Sequence, residues 1–299
     1  MSIHSNTLQK SLGRFFIELS LALTRILPKT TFRALLHTLS AVLIPKKFKE
    51  RAKTSLRILY GDTVEDKTLD KKAKELIEFF LNQAVEMAYY CKMGGMPAYE
   101  DFIEDISGKE YLEEALKQQK GVIALTAHIG NFTMLTHTLT LAGFPNCATI
   151  MREQSDVKTE KLFTELRTEI GIKWINENES KSNVLALVKF LKKNGILIML
   201  SDQRLIGGVK VRFLRREKLT AKGPAALALR VGCPVLPIYS IVTSNGKNHL
   251  VIKPPIPLIK TGDTGKDIFE NTQIFMDEIG NIIKEHPDQW YAFSRWWRV

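Results

Sequence analysis

Cysteine is scarce in this sequence, with three residues in 299: Cys91, Cys147 and Cys233. They lie far apart, in mainly apolar surroundings, and none belongs to a CxxC or CxxH pattern. This spacing argues against a zinc site or a disulfide framework and predicts a reducing compartment. We therefore interpret the three thiols as core residues and expect neither a metal nor another cofactor.

The chain also lacks an apolar run of the length that spans a membrane, about 20 residues. The best candidate, 15–27, is shorter and contains Glu18 and Arg25, and the N-terminus has no pattern of a cleavable signal peptide. A second apolar segment, 32–44, also contains charged residues. Both segments have an apolar face and flanking basic residues, which suits helices lying in a membrane interface. Packing against the domain core is the alternative.

Three common catalytic signatures are missing: GxSxG, the P-loop and GxGxxG. Their absence removes nucleophile-elbow hydrolases, P-loop kinases and Rossmann enzymes as first hypotheses. Acidic residues are in deficit, 32 against 43 basic residues, so the formal net charge is +11. Such an excess favours anionic partners: nucleic acid, an acidic membrane, an acidic carrier protein or a phosphorylated substrate.

Hydrophobic periodicity predicts two kinds of structure along the chain. Roughly the first 105 residues are expected to be helical. Beyond residue 108 strands alternate with helices, and the apolar runs predict strands at 121–127, 147–152, 196–203, 234–243 and 249–255. We therefore predict an α/β fold, a layered α/β/α core with a mostly parallel or mixed sheet in residues 106–299, preceded by a helical membrane-interface region in 1–105.

Polar side chains follow three of the predicted strands. His128 comes after the first strand, Arg152 after the second, and Asp202 with Gln203 after the third. Because ligands bind at the carboxyl ends of strands in open α/β sheets, this coincidence predicts a site. Taken singly, each residue has a structural explanation, such as a hydrogen-bonded histidine or an ion pair. His128 lacks an evident side-chain nucleophile, so a general base acting on a substrate hydroxyl is its natural role.

Several ordered motifs resemble those of one family. They are AHIGNF (127–132), MREQSD (151–156), LKKNGILIMLSDQ (191–203), the run 207–239 and HPDQWYAFSRWWR (286–298). Together they resemble the lysophospholipid acyltransferase superfamily, in particular its lauroyl and myristoyl acyltransferases of late lipid A biosynthesis. The similarity extends over nearly the whole chain, and the spacing of the motifs makes it specific.

The resemblance implies a peripheral enzyme on the cytoplasmic face of the inner membrane. Such enzymes move a fatty acyl group from acyl carrier protein, sometimes coenzyme A, to a hydroxyl of a lipid acceptor. His128 would be the base, backbone N–H groups near Gly130 and Asn131 would hold the oxyanion, and Arg152 would bind phosphate or carbonyl oxygen. The expected substrate-binding residues are Gly130, Asn131, Arg152, Asp202, Gln203, Thr220 and Gly223, with Thr220 also a candidate helix cap. The expected partners are acyl carrier protein, anionic membrane lipids and a lipid acceptor, and no nucleic acid.

One residue departs from the family pattern. The family has Asp or Glu five residues after the histidine, where this chain has Thr133. A threonine can accept a hydrogen bond from the imidazole, but it cannot offset the charge of an imidazolium. Three interpretations remain open. Another carboxylate, Glu153 or Asp202, takes the place in space; or the enzyme works with Thr133 as the only orienting residue; or the protein is a catalytically silent, lipid-binding relative.

The C-terminal segment 289–298 interleaves aromatic residues with arginines. This pattern suits packing of Trp290 and Trp296 at the end of the domain, contact with a membrane interface, or stacking on nucleic-acid bases. With the family resemblance we favour packing and interface contact.

Overall fold

The computed structural model describes residues 3–44, 46–93, 97–154, 156–176 and 180–293. The first part is helical, as the sequence predicts. Its helices are α1 Ile3–Ile26, α2 Lys29–Leu43, α3 Lys46–Tyr60, α4 Asp66–Met93 and the short α5 Tyr99–Phe102. Within the described ranges, no helix is both long enough and apolar enough to cross a membrane.

The second part alternates strands with helices. In chain order these are β1 Ile103–Ser107, α6 Lys109–Lys117, β2 Val122–Thr126, α7 Leu135–Leu141, β3 Cys147–Met151, α8 Val157–Glu169, β4 Trp174–Asn176, α9 Ser180–Lys192, β5 Ile196–Leu200, β6 Arg204–Phe213, β7 Arg216–Thr220, α10 Gly223–Val231, β8 Val235–Val242, β9 Asn248–Ile252 and α11 Thr264–Glu285. Short 3-10 helices at Phe132–Met134 and Pro287–Gln289 complete the order.

Seven strands form one sheet in the order β1-β9-β8-β2-β5-β3-β4, and β6 and β7 form a separate hairpin. Only β8 and β9 pair in an antiparallel sense within the larger sheet; its other neighbours are parallel. The predicted α/β class with a mostly parallel sheet is therefore confirmed. The central strands β2, β5 and β3 end at the same edge, and that edge carries the candidate site.

The central strand β2 is buried on both faces, because helices cover the sheet on each side. Ile123 and Leu125 belong to one hydrophobic cluster, together with residues of α10 and α11. Val122 and Ala124 point the other way and pack with residues of α6 and α7. This is the alternation of a strand with period two, and it explains why the whole run is apolar.

Two N-terminal helices share the core of the sheet. Leu56 of α3 and Leu76 of α4 are almost fully buried in the same cluster as Ile123. Farther along α4, Phe80 packs its ring against Phe132 and Tyr291. The helical region therefore packs directly on the sheet and reaches the neighbourhood of His128.

The largest error in the predicted elements concerns the β6–β7 hairpin. The sequence suggests a short strand within 209–213 and a helix from Thr220, whereas β7 spans Arg216–Thr220 and the helix begins at Gly223. The buried positions of β7 are Lys218 and Thr220, so the inward face of this strand is polar. A hydropathy pattern cannot detect such a strand, because it looks for apolar residues at the buried positions.

Candidate active site

His128 stands two residues beyond β2 and contacts a buried carboxylate. Its Nδ1 lies 2.7 Å from Oδ1 of Asp202, and its backbone N–H donates to the same oxygen at 3.1 Å. Asp202 stands two residues beyond the neighbouring strand β5 and is fully buried. Because β2 and β5 are parallel and in register, the two residues meet at the same edge of the sheet. The carboxylate thus fixes both the ring orientation and the tautomer of His128.

Two further side chains hold Asp202 in place. Trp290 Nε1–H donates to Oδ2 at 3.0 Å, and the ammonium group of Lys218 donates to the main-chain carbonyl oxygen of Asp202. Burial alone would raise the pKa of the Asp202 carboxyl, but His128, Lys218 and the Trp290 N–H outweigh it and hold this pKa below its usual value. Asp202 is therefore an ionised acceptor for the imidazole.

Lys218 is a buried cation, with 4% of its surface exposed. Its Nζ lies 4.2 Å from the centre of the Phe213 ring, in addition to its bond to Asp202. Burial lowers the pKa of Lys218 to about 8, although the nearby Asp202 charge opposes this. The lysine thus offers partial compensation for the buried carboxylate charge.

The C-terminal segment holds the loop that carries His128. Tyr291 N–H donates to the His128 carbonyl oxygen at 2.8 Å, and Gly130 N–H donates to the carbonyl oxygen of Gln289 at 2.9 Å. Gly130 has φ +55°, and a Cβ there would lie 2.0 Å from the Ser240 carbonyl oxygen. Only glycine combines this left-handed conformation with so close an approach.

The predicted oxyanion donors are used within the fold. Besides the Gly130 N–H, the Asn131 N–H donates to the Ser240 carbonyl oxygen at 2.9 Å. The Asn131 side chain is buried, and its Nδ2 donates to Asn248 Oδ1 at 3.0 Å. Gly130 and Asn131 therefore fix the turn after His128 and do not offer the free N–H groups that the sequence-based assignment requires. An oxyanion donor from another backbone N–H group in this turn stays a prediction.

The carboxylate that contacts His128 is Asp202. It is one of the two carboxylates that could take the place of the acidic residue that Thr133 replaces. The Thr133 hydroxyl donates to Asn131 Oδ1 at 3.4 Å rather than to the imidazole. Glu153, the other alternative, is exposed and accepts a hydrogen bond from Asn176. The orienting partner of His128 thus comes from another strand end, and Thr133 does not take that role by direct contact.

His128 opens onto a cavity of about 1130 Å³. Its imidazole side chain is 16% exposed. Predicted site residues that also line this cavity are Thr133, Arg152, Gln203 and Gly223. The other walls are mostly apolar and come from α1, α4, α8, α9 and the strand ends: Phe16, Ile17, Leu21, Ala84, Met87, Ala88, Ile150, Phe163, Leu166, Ile170, Leu187, Met199, Leu200 and Leu205.

Thr220 does not face the cavity. It is fully buried at the end of β7, and its hydroxyl donates to the Ser201 carbonyl oxygen at 3.1 Å. It is neither a helix cap, since Lys222 takes that place before α10, nor a lining residue. The hydroxyl instead ties the hairpin to the chain just before Asp202, so the predicted binding role of Thr220 is corrected to a supporting one.

Sequence reasoning missed the contacts that Lys218 and Trp290 make with Asp202. Trp290 is fully buried, so it packs as the sequence suggests, whereas Trp296 lies outside the described residues. The indole N–H of a buried tryptophan needs an acceptor, and this was the available signal for Trp290. A lysine within an otherwise charged stretch gave no comparable signal.

Comparisons with known proteins identify a family for the chain. A family model described as bacterial lipid A biosynthesis acyltransferase matches residues 2–299. A search among curated proteins finds no significant match. Because the family match covers nearly the entire sequence, the chain belongs to the bacterial lipid A biosynthesis acyltransferases.

Proposed function

We propose that this protein is a membrane-associated O-acyltransferase with His128 as its general base. It transfers a fatty acyl group from a thioester donor, acyl carrier protein or coenzyme A, to a hydroxyl of a lipid acceptor such as a lipid A precursor. The observation that carries the proposal is the Asp202–His128 pair, whose imidazole opens onto a large and mostly apolar cavity.

The pair supports proton transfer at one defined atom. Since Nδ1–H donates to the ionised Asp202, the lone pair of neutral His128 is on Nε2. The acceptor hydroxyl gives its proton to Nε2 while its oxygen bonds to the thioester carbonyl carbon, and the carbonyl electrons move onto oxygen. When the carbonyl re-forms, the C–S bond breaks and the sulfur leaves with the proton from Nε2. The acyl ester and a free thiol are the products.

The cavity and the surface charge fit a lipid-like donor and acceptor. Apolar walls favour burial of a fatty acyl chain, since each buried methylene contributes about 0.8 kcal/mol. Arg152 follows β3 and lines the same cavity, where a guanidinium suits phosphate or carbonyl oxygen. A net charge of +11 would steer an acidic carrier protein or anionic lipid toward the protein.

The catalytically silent alternative loses its main support in this geometry. It was raised because Thr133 cannot balance an imidazolium charge. Asp202 contacts the imidazole directly, and its pKa lies below the usual value, so a negative charge is available at His128. We therefore favour an active enzyme.

The decisive experiment is acyl transfer by the purified protein. Radiolabelled lauroyl-acyl carrier protein or lauroyl-CoA is incubated with an under-acylated lipid A precursor, and the lipids are separated and weighed by mass spectrometry. We expect a product heavier by one acyl group, and none above background from His128→Ala. Equal incorporation by both proteins would refute His128 as the base, and no product from either would favour the silent alternative.

Exposed apolar residues on α1 and α2 support a peripheral membrane contact. Phe15, Leu19 and Ile26 of α1 and Leu35 and Leu39 of α2 are all at least 36% exposed. Apolar side chains on an exposed helix face enter the headgroup region, and nearby basic residues attract anionic lipids. We propose that these two helices bind the cytoplasmic face of the inner membrane.

Removing two of these side chains is expected to weaken vesicle binding. Phe15 is 55% and Leu19 40% exposed, and they lie one helical turn apart on α1. Phe15→Ser combined with Leu19→Ser should lower partitioning into phosphatidylglycerol-containing vesicles at least about tenfold in a sedimentation assay. Phe269→Ser on α11 is the control, because Phe269 is 41% exposed there. Unchanged binding of the double variant would exclude this face of α1.

A further inference from the structure

Gln203 lies at the atom on which proton transfer depends. It follows Asp202 directly, is exposed, and lines the cavity. Its Nε2 is 2.9 Å from Nε2 of His128. Because the imidazole hydrogen on Nδ1 is given to Asp202, His128 Nε2 is the acceptor, and the Gln203 amide must be the donor. A neutral N–H donor is thus aimed at the place where the acceptor hydroxyl has to bind.

The reaction needs a donor for the oxyanion, and the backbone N–H groups from His128 to Asn131 do not supply one. Four consecutive N–H groups, those of residues 128–131, are all used within the fold. His128 N–H donates to Asp202 Oδ1, and the next three donate to the carbonyl oxygens of Ala127, Gln289 and Ser240. A tetrahedral oxyanion without a donor would be poorly stabilised in an apolar cavity. A side-chain N–H group close to the base is placed to supply this interaction.

We propose that Gln203 is a catalytic residue whose side-chain amide N–H stabilises the oxyanion of the tetrahedral intermediate. The proposal rests on the acyltransferase function proposed above. In the resting site the amide donates to His128 Nε2. When the acceptor hydroxyl takes that position, the amide is released a hydrogen-bond length from the reacting atoms. It then donates to the carbonyl oxygen as the C–O bond forms and keeps this bond until the C–S bond breaks.

The alternative role for the Gln203 amide is to block the base, and it predicts the opposite change in turnover when the amide is removed. If the amide only blocked the base, its removal would expose Nε2 and raise turnover. If it stabilises the oxyanion, its removal leaves the base free but lowers turnover, because the interaction exists only in the transition state. The direction of the change in kcat therefore separates the two roles.

The experiment compares Gln203→Met and Gln203→Glu with the wild type. Both substitutions keep the side-chain length, and both remove the N–H donor. Steady-state transfer from lauroyl-CoA to an under-acylated lipid A precursor is followed by release of free thiol. We expect kcat to fall about 10²–10³-fold, the loss found when one oxyanion donor is removed, with KM within about twofold. Gln118→Met is the control, because Gln118 is exposed and lies before β2, at the other end of that strand.

Each outcome has one meaning. A fall in kcat for both Gln203 variants at unchanged KM, with normal thermal unfolding, supports the proposal. Wild-type or higher kcat for Gln203→Met overturns it, and the acyltransferase function still stands if His128→Ala remains inactive. Equal turnover by wild type and His128→Ala would refute the proposed base and this inference together.

Discussion

Replacing His128 by alanine or Asp202 by asparagine is expected to lower kcat by about 10⁴-fold, as loss of the corresponding groups does in the serine-protease triad. Alanine removes the atom that accepts the proton. Asparagine leaves the imidazole in place but takes away the charge that fixes its tautomer. Each change therefore disables the same proton transfer by a different route.

The contacts of Asp202 explain why asparagine cannot substitute for it. Oδ1 accepts from His128 Nδ1–H and from the His128 backbone N–H, and Oδ2 accepts from Trp290 Nε1–H. An amide has one oxygen and an NH₂ group, so a donor would face a donor at one of these positions. Either the imidazole turns to its other tautomer, which protonates Nε2, or the indole loses its buried partner.

A double variant tests whether the two residues act as one unit. We expect His128→Ala combined with Asp202→Asn to be no slower than either single variant, since groups that act together are not additive. Thr133→Ala is the comparison within the same loop and should lose far less activity than Asp202→Asn, because Thr133 bonds to Asn131 and not to the imidazole. If Thr133→Ala proved as damaging as Asp202→Asn, Thr133 would be the orienting residue after all. The measurement is kcat for acyl transfer at saturating donor.

Gly130→Ala is expected to reduce the free energy of unfolding by more than about 3 kcal/mol. Two costs combine at this position. Gly130 has φ +55°, which disfavours any Cβ, and the added carbon would lie 2.0 Å from the Ser240 carbonyl oxygen. The Ser240 carbonyl oxygen lies in β8 and accepts a hydrogen bond from Asn131 N–H. It therefore cannot move without breaking a buried hydrogen bond.

A second glycine separates the two costs. Gly171 also has a positive φ, +70°, but a Cβ there would meet nothing within 4 Å. Gly171→Ala should therefore cost only about 1–2 kcal/mol, the price of the left-handed backbone alone. Denaturant unfolding of both variants gives the comparison. Equal losses at the two positions would mean that the loop after His128 yields to the added carbon.

Much of the fold could be predicted because it depends on local pattern. The apolar runs that became β2, β3, β5 and β8 are buried on both faces, so their hydropathy alone marks them. The strands β1 and β4 and the helix α6 were not among the predicted elements. The β7 strand escaped because its buried positions carry Lys218 and Thr220. In β7, side chains held by tertiary contacts replace the apolar pattern on which prediction relies.

The sequence by itself determined which edge of the sheet would carry the site. Parallel strands end at a common edge, so the sequence places His128, Arg152, Asp202 and Gln203 at that edge. The sheet order β2-β5-β3, which the tertiary structure sets, makes their strands neighbours. Only the tertiary structure decided what each of them does there. Which group meets the imidazole depends on distances between segments far apart in the chain, and these bring Asp202 rather than Thr133 to Nδ1. The same long-range packing uses up the backbone N–H groups of Gly130 and Asn131, because a buried N–H pairs with whichever carbonyl oxygen the fold places beside it.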